Sequence, residues 1–62
     1  MNGYYQRLID ILKADGFRFV RSGKGSHEIW GKGNKNVTVP HNCESRFTAN
    51  AILKQAGLTQ KF

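Results

Sequence analysis

The two ends of the chain share a helix-ending pattern, and this pattern limits the folds that the sequence can adopt. In residues 12–17 and again in residues 53–58, leucine and lysine are followed by a glycine and then by a large apolar residue. Glycine readily takes the left-handed conformation just beyond a helix end, and the apolar residue after it packs back on the last turn. The pattern therefore predicts two short helices, one near each end of the chain.

The spacing of the apolar residues supports both helices. Each segment places four of them at i, i+3, i+4 and i+7, which is the spacing of one helix face. They are Tyr5, Leu8, Ile9 and Leu12 in the first segment and Ala49, Ile52, Leu53 and Ala56 in the second. Asn2 and Thr48 are the predicted N-caps, because short polar side chains accept hydrogen bonds from the first backbone N–H groups of a helix.

Between the helices the pattern becomes that of β-strands. Three segments rich in β-branched and aromatic residues, 17–21, 26–30 and 36–40, are separated by glycine- and lysine-containing connectors of hairpin length. Pro40 is predicted to end the third strand, since proline lacks the N–H that a strand interior needs. The order helix, three strands, helix predicts an α+β fold with a three-stranded antiparallel sheet and both helices on one face, as a single domain over residues 1–62.

The chain is basic, with ten Lys and Arg residues against four Asp and Glu residues and a net charge of +6. Most of this charge lies in residues 18–35, where Glu28 is the one acid. A basic globule of this size often binds nucleic acid or an acidic protein. Glycine lets backbone N–H groups approach a phosphate and lysine supplies charge, so the connectors predict an anion-binding surface. The alternative is that these lysines are only solvated residues at hairpin tips.

The composition excludes several other classes of protein. Apolar residues make up 39% of the chain, which is too many for a disordered tail. No apolar stretch reaches the length of a signal peptide core or a membrane span, so a cytoplasmic location is expected. Cys43 is the only cysteine, so no disulfide can form within the chain. With two histidines it gives too few ligands for a structural zinc site, and no metal or cofactor is expected.

His27 is the candidate catalytic residue. An imidazole exchanges protons near neutral pH, and RNA cleavage requires the 2′-hydroxyl to lose a proton and the leaving 5′-oxygen to gain one. The candidates for binding phosphate and RNA are Lys24, Gly25 and Ser26, which precede it, together with Arg18, Arg21 and Lys32. The alternative is a structural role for His27 at the edge of the sheet, on the same face as Ile29.

His41 is the candidate accessory acid or base. It follows the predicted third strand, and its distance from His27 depends on the strand register, which the sequence does not fix. The two histidines are either an acid–base pair or lie at opposite ends of the sheet, in which case His41 is a loop residue without a catalytic part.

Taken together, these motifs resemble those of the HicA toxin family. The resemblance rests on residues 12–17, Arg21, the Gly25-Ser26-His27 element, residues 37–41 and residues 52–58. It implies the α-β-β-β-α topology of the double-stranded-RNA-binding domain. It also implies a metal-independent mRNA interferase of a type II toxin–antitoxin system, with His27 as the catalytic residue and a HicB antitoxin bound across the active face.

Two alternatives to this function remain open at the level of the sequence. One is a non-catalytic RNA-binding module of the same fold, and the other is an inactive toxin that only binds its antitoxin. The acidic residue after the histidine, Glu28, repels phosphate if it faces the RNA and is harmless if it faces elsewhere.

Overall fold

The described part of the chain forms two helices and one sheet. A computed structural model describes residues 3–62. Its elements, in chain order, are α1 (Tyr5–Ala14), β1 (Arg18–Ser22), β2 (His27–Lys32), β3 (Lys35–Pro40) and α2 (Arg46–Gln55). The strands form an antiparallel sheet in the order β1-β2-β3. The predicted α-β-β-β-α fold is confirmed, and Pro40 ends β3 as expected.

Both helices end in the way that the repeated pattern predicts. Gly16 and Gly57 follow α1 and α2 with φ angles of 106° and 83°. The amide of Phe17 donates to the carbonyl of Leu12 at 2.9 Å, and the equivalent hydrogen bond at the end of α2 has the same length. These bonds are those of the Schellman motif, which satisfies carbonyl groups that a helix end leaves without partners.

The helix starts differ from the prediction. The N-cap of α2 is Ser45, whose Oγ accepts a hydrogen bond from the Thr48 amide at 3.4 Å. The prediction of Thr48 as the cap is therefore wrong, because a cap binds the amide three residues later and Thr48 occupies that later position. Helix α1 begins at Tyr5, and its N-cap Tyr4 makes no side-chain capping bond. The predicted cap Asn2 lies outside the described residues.

The core lies between the two helices and one face of the sheet. The predicted apolar faces of both helices are buried in it, except that Tyr5 is only partly buried at its margin. The sheet contributes Trp30, Val37 and Val39, and Phe17 enters just before β1. Because both helices pack on this side, the opposite face of the sheet is left uncovered.

The strand register decides which side chains share a face. His27 pairs with Pro40, and Trp30 pairs with Val37. Alternate residues of a strand point to opposite faces, so Glu28 and Trp30 face the helices and His27 faces the uncovered side. The register of β1 shifts between Phe19 and Arg21, which keeps both of its arginines on that side. We call this surface the open face; its residues include Arg18, Arg21, His27, Ile29 and Thr38.

Candidate functional site

His27 is the first residue of β2 and is exposed on the open face. Its Nδ1 lies 3.1 Å from the backbone carbonyl oxygen of Lys24. A carbonyl oxygen can only accept, so Nδ1 is the donor in this hydrogen bond, and in the neutral imidazole the lone pair then lies on Nε2. The neutral imidazole is thereby held with its proton-accepting nitrogen available to a substrate.

The connection between β1 and β2 wraps around this histidine. The Gly23 amide donates to the His27 carbonyl at 2.7 Å, and the His27 amide donates to the Lys24 carbonyl at 3.3 Å. Gly25 has a φ of 65°, a conformation that residues with a Cβ rarely adopt. Lys24, Gly25 and Ser26 are all exposed. The turn therefore presents a lysine and a stretch of accessible backbone directly beside the imidazole.

The two arginines predicted to bind RNA lie on the same face as His27. Arg21 is opposite Ile29, two residues along β2 from His27, so it is a diagonal neighbour of the histidine. Diagonal neighbours are about 7–8 Å apart, within reach of a long side chain. Arg18 is opposite Gly31, nearer the other end of the sheet. The open face thus carries a row of positive charge that leads towards His27.

Lys32, also predicted to bind RNA, lies elsewhere. Its Nζ is 3.0 Å from Oδ2 of Asp15, at the end of α1, and lies 5.9 Å from the centre of the Phe17 ring. Lys32 is the last residue of β2, and the five-residue step from His27 corresponds to about 17 Å along a strand. The structure therefore separates Lys32 from the His27 surface.

The register brings His41 to the same end of the sheet as His27, but on the opposite side. The His41 amide donates to the Ser26 carbonyl at 2.7 Å. The His41 ring packs against Tyr5 of α1 with 4.7 Å between ring centres, on the side that the helices cover. The two imidazoles therefore face opposite sides of the sheet.

Glu28 faces the helices, where it forms a cluster that sequence reasoning missed. The Tyr5 hydroxyl donates to Glu28 Oε1 at 2.6 Å, and Trp30 Nε1 donates to the same oxygen at 3.1 Å. We call Tyr5, Glu28, Trp30 and His41 the carboxylate cluster. No local pattern indicates it, since it forms only when α1 packs across β2. Its geometry keeps Glu28 away from the open face.

Hydrogen bonding and burial in the carboxylate cluster shift the pKa values of Glu28 and Tyr5. The Tyr5 hydroxyl, helped by Trp30 and by the charge of His41, holds the pKa of Glu28 below its ordinary value despite the opposing effect of burial. Burial, reinforced by the hydrogen bond to Glu28, raises the pKa of Tyr5 to about 12. At neutral pH the cluster therefore pairs an ionised carboxylate with a neutral phenol.

A cleft of about 280 Å³ opens beside the carboxylate cluster. Its lining includes Tyr5, Gln6, His41, Asn42 and Glu44. We call it the end cleft. No sequence pattern indicates this cleft, because its walls come from the start of α1 and from the connection between β3 and α2, which are distant along the chain.

The side chains that could bind a metal ion do not form a group in the described residues. Within residues 3–62, no three His, Cys, Asp or Glu side chains are grouped so that they could hold a metal ion. Cys43 is buried in the core, and this burial raises the pKa of its thiol. In the same part of the chain no helix is long and apolar enough to cross a membrane.

These features define a small, basic α+β protein with an exposed histidine beside a glycine-containing turn on the open face of its sheet. A comparison with protein families finds a match over residues 5–58 to the HicA toxin of bacterial toxin–antitoxin systems. The chain belongs to the HicA toxin family, as its motifs predicted, and this membership implies a cognate antitoxin as its partner. No curated protein and no solved structure matches the chain.

Proposed function

We propose that this toxin is a metal-independent endoribonuclease that cleaves mRNA, with His27 as its general acid or base. The observation that carries the proposal is the hydrogen bond between His27 Nδ1 and the Lys24 carbonyl. It orients an exposed imidazole with Nε2 free, beside a basic turn that suits a phosphate. Family membership supports the same conclusion, since a toxin must act on some target of the cell.

In the proposed reaction, His27 Nε2 accepts the proton of a ribose 2′-hydroxyl. The 2′-oxygen attacks the adjacent phosphorus, the bond to the 5′-oxygen of the next nucleotide breaks, and that oxygen takes up a proton. The products are a 2′,3′-cyclic phosphate and a 5′-hydroxyl. Because His41 faces the other side of the sheet, water is the proposed donor of the leaving-group proton rather than His41.

The turn before His27 has the groups that the developing negative charge requires. The Lys24 ammonium and the backbone N–H groups around Gly25 and Ser26 are proposed to hold the phosphate oxygens. Arg21 and Arg18 extend this positive surface along the open face for the neighbouring phosphates. Lys32 has a peripheral part in this proposal, because Asp15 already neutralises its charge.

The proposed partners follow from the same surface. RNA binds along the open face in the cytoplasm, where mRNA is translated. A HicB-type antitoxin bound over that face silences the toxin by excluding RNA from His27. No metal or other cofactor takes part in the proposed reaction.

The test is RNA cleavage by the purified protein with EDTA present. We expect wild type to cleave, and His27→Ala to lose activity by about 10²-fold or more while it still binds RNA. His27→Asn is the sharper variant, since its amide nitrogen takes the position of Nδ1 and can still donate to the Lys24 carbonyl. The amide cannot exchange protons, so this variant should be as inactive as His27→Ala. Gln55→Ala, an exposed change on α2, serves as the neutral control.

Circular dichroism of each variant separates a lost reaction from a lost fold. Equal cleavage by wild type and both His27 variants would overturn the catalytic role of His27. RNA binding without cleavage by wild type would instead indicate a non-catalytic RNA-binding module. Tight antitoxin binding with only weak RNA association would indicate an inactive toxin.

A further inference from the structure

The end cleft has the size and position of a second binding site. Its volume of about 280 Å³ is many times the roughly 30 Å³ that a water molecule occupies in the liquid, so it accommodates an organic group. It opens at the end of the sheet that carries His27. His41 follows Pro40, the cross-strand partner of His27, so the backbones of the two histidines are on the order of 6 Å apart.

Two aromatic rings form one wall of the end cleft. The rings of Tyr5 and His41 are in contact, with 4.7 Å between their centres. The hydrogen bond from Tyr5 to Glu28 fixes the first ring, and the bond from the His41 amide to Ser26 fixes the backbone that carries the second. Aromatic side chains held in this way are the surfaces on which proteins stack unpaired nucleic-acid bases.

The polar groups of the end cleft select a neutral ligand that carries N–H donors. The Glu44 carboxylate can only accept hydrogen bonds. Gln6 donates through Nε2 to Asp10 at 3.0 Å, which leaves its carbonyl oxygen as a second acceptor. A phosphate brings only negatively charged acceptors, so the Glu44 carboxylate repels it. A nucleobase is neutral and has N–H groups on its edge.

Among the four RNA bases, guanine fits this lining best. Its Watson–Crick edge places two N–H donors, on N1 and N2, side by side, and these match the two oxygens of the Glu44 carboxylate. The O6 acceptor of guanine next to them suits the amide N–H group of Asn42. Adenine, cytosine and uracil each have a donor on a single nitrogen of that edge, so none can bind a carboxylate in the same two-bond manner.

We propose that the end cleft binds an unpaired guanine of the RNA next to the phosphate at His27, with Glu44 as the residue that determines base preference. This inference rests on the proposed function, because it places the RNA backbone on the open face and one base around the edge of the sheet. A guanine bound in the end cleft makes the toxin selective for guanine near the cleavage position.

The test uses binding alone, so that it does not depend on cleavage. The probes are hexamers of 2′-O-methyluridine with one central guanine, adenine or cytosine, together with the all-uridine hexamer; none has a free 2′-hydroxyl to react. Fluorescence anisotropy measures the affinity of the purified chain for each probe. We expect the guanine probe to bind about tenfold more tightly than the other three, with amide NMR shifts at residues 41–44.

Matched variants isolate the contribution of the carboxylate. Glu44→Gln should reduce the preference for guanine to less than about threefold. Asp15→Asn removes the same unit of negative charge at the far end of α1, so it controls for general electrostatic attraction and should keep the preference. His27→Ala should also keep it, because that change affects the proposed reaction and not the cleft.

The outcomes separate this inference from the proposed function. Equal affinities for the four probes, or a guanine preference that Glu44→Gln leaves intact, would overturn the guanine site even if wild type cleaves RNA. A guanine preference that depends on Glu44, in a protein that cleaves nothing, would support the site and overturn the ribonuclease proposal.

Discussion

The two faces of the sheet differ in how their residues are used. On the side towards the helices, Trp30, Val37 and Val39 are buried. The polar side chain of Glu28 on this side accepts hydrogen bonds from two donors. On the open face, His27 is exposed, and its ring forms a hydrogen bond with a backbone carbonyl. The covered face provides stability, and the open face has accessible groups that can react or bind.

The same contrast holds between neighbouring residues of one strand. His27 and Glu28 are adjacent in the sequence, yet β2 turns them to opposite sides of the sheet. Glu28 becomes part of the carboxylate cluster, whereas His27 faces the surface proposed to bind RNA. Substitutions on the two faces should therefore change different measured quantities.

The largest expected effect on stability comes from Val39, which is 0% exposed on the covered face. Val39→Ala removes buried methyl groups and should lower the free energy of unfolding by about 2 kcal/mol. The neighbouring change Thr38→Ala, on the open face, should cost less than about 1 kcal/mol. Urea unfolding of both variants measures the two losses in the free energy of unfolding. Equal losses would show that the two faces do not differ in packing.

Much of the difference between the covered face and the open face could be predicted from the sequence, because the fold follows from local patterns. The apolar spacing placed both helix faces correctly, and Gly16 and Gly57 marked both helix ends. The alternation of the middle segments gave the three strands. Such patterns depend on residues a few positions apart, which the sequence shows directly.

The parts that could not be predicted depend on contacts between distant residues. The side of the sheet on which His41 lies is set by the pairing of His27 with Pro40, and the hydrogen bond from Tyr5 to Glu28 is set by how α1 crosses the sheet. The ion pair of Lys32 arises from the same packing. The N-cap of α2 was predicted three residues too late, at Thr48 rather than Ser45, because serine and threonine both suit a cap.

Because of the carboxylate cluster, the free energy of unfolding should decrease at acidic pH. The pKa of Glu28 lies below its ordinary value of 4.5 in the folded chain, so the ionised form binds its partners more tightly than the protonated form does. The contribution of the Glu28 carboxylate to the free energy of unfolding is complete above about pH 4.5. It is lost as the pH falls through the lowered pKa of Glu28 in the folded chain. We expect the free energy of unfolding to fall between about pH 6 and pH 3, as measured by urea unfolding at each pH.

Tyr5→Phe tests the cause of that acid dependence. It keeps the ring but removes the hydroxyl, which is the largest cause of the lowered Glu28 pKa, so the loss of stability in acid should become smaller. Glu44→Gln removes a carboxylate outside the cluster and should retain the acid dependence of wild type. An acid dependence that is unchanged by Tyr5→Phe but reduced by Glu44→Gln would contradict this assignment.

The smallest expected effect concerns RNA affinity, and it compares two basic residues predicted from the sequence to bind RNA. Arg21→Gln removes a charge from the open face and should weaken binding by a few-fold for every RNA sequence, because phosphate contacts carry no base information. The slope of log affinity against log salt should become shallower by about 0.7, the value for one phosphate contact of a single strand. Lys32→Gln should leave affinity and slope nearly unchanged, since Asp15 already neutralises that charge. Equal effects of the two changes would mean that RNA extends beyond the open face to the end of β2. RNA binding would then not be confined to the open face.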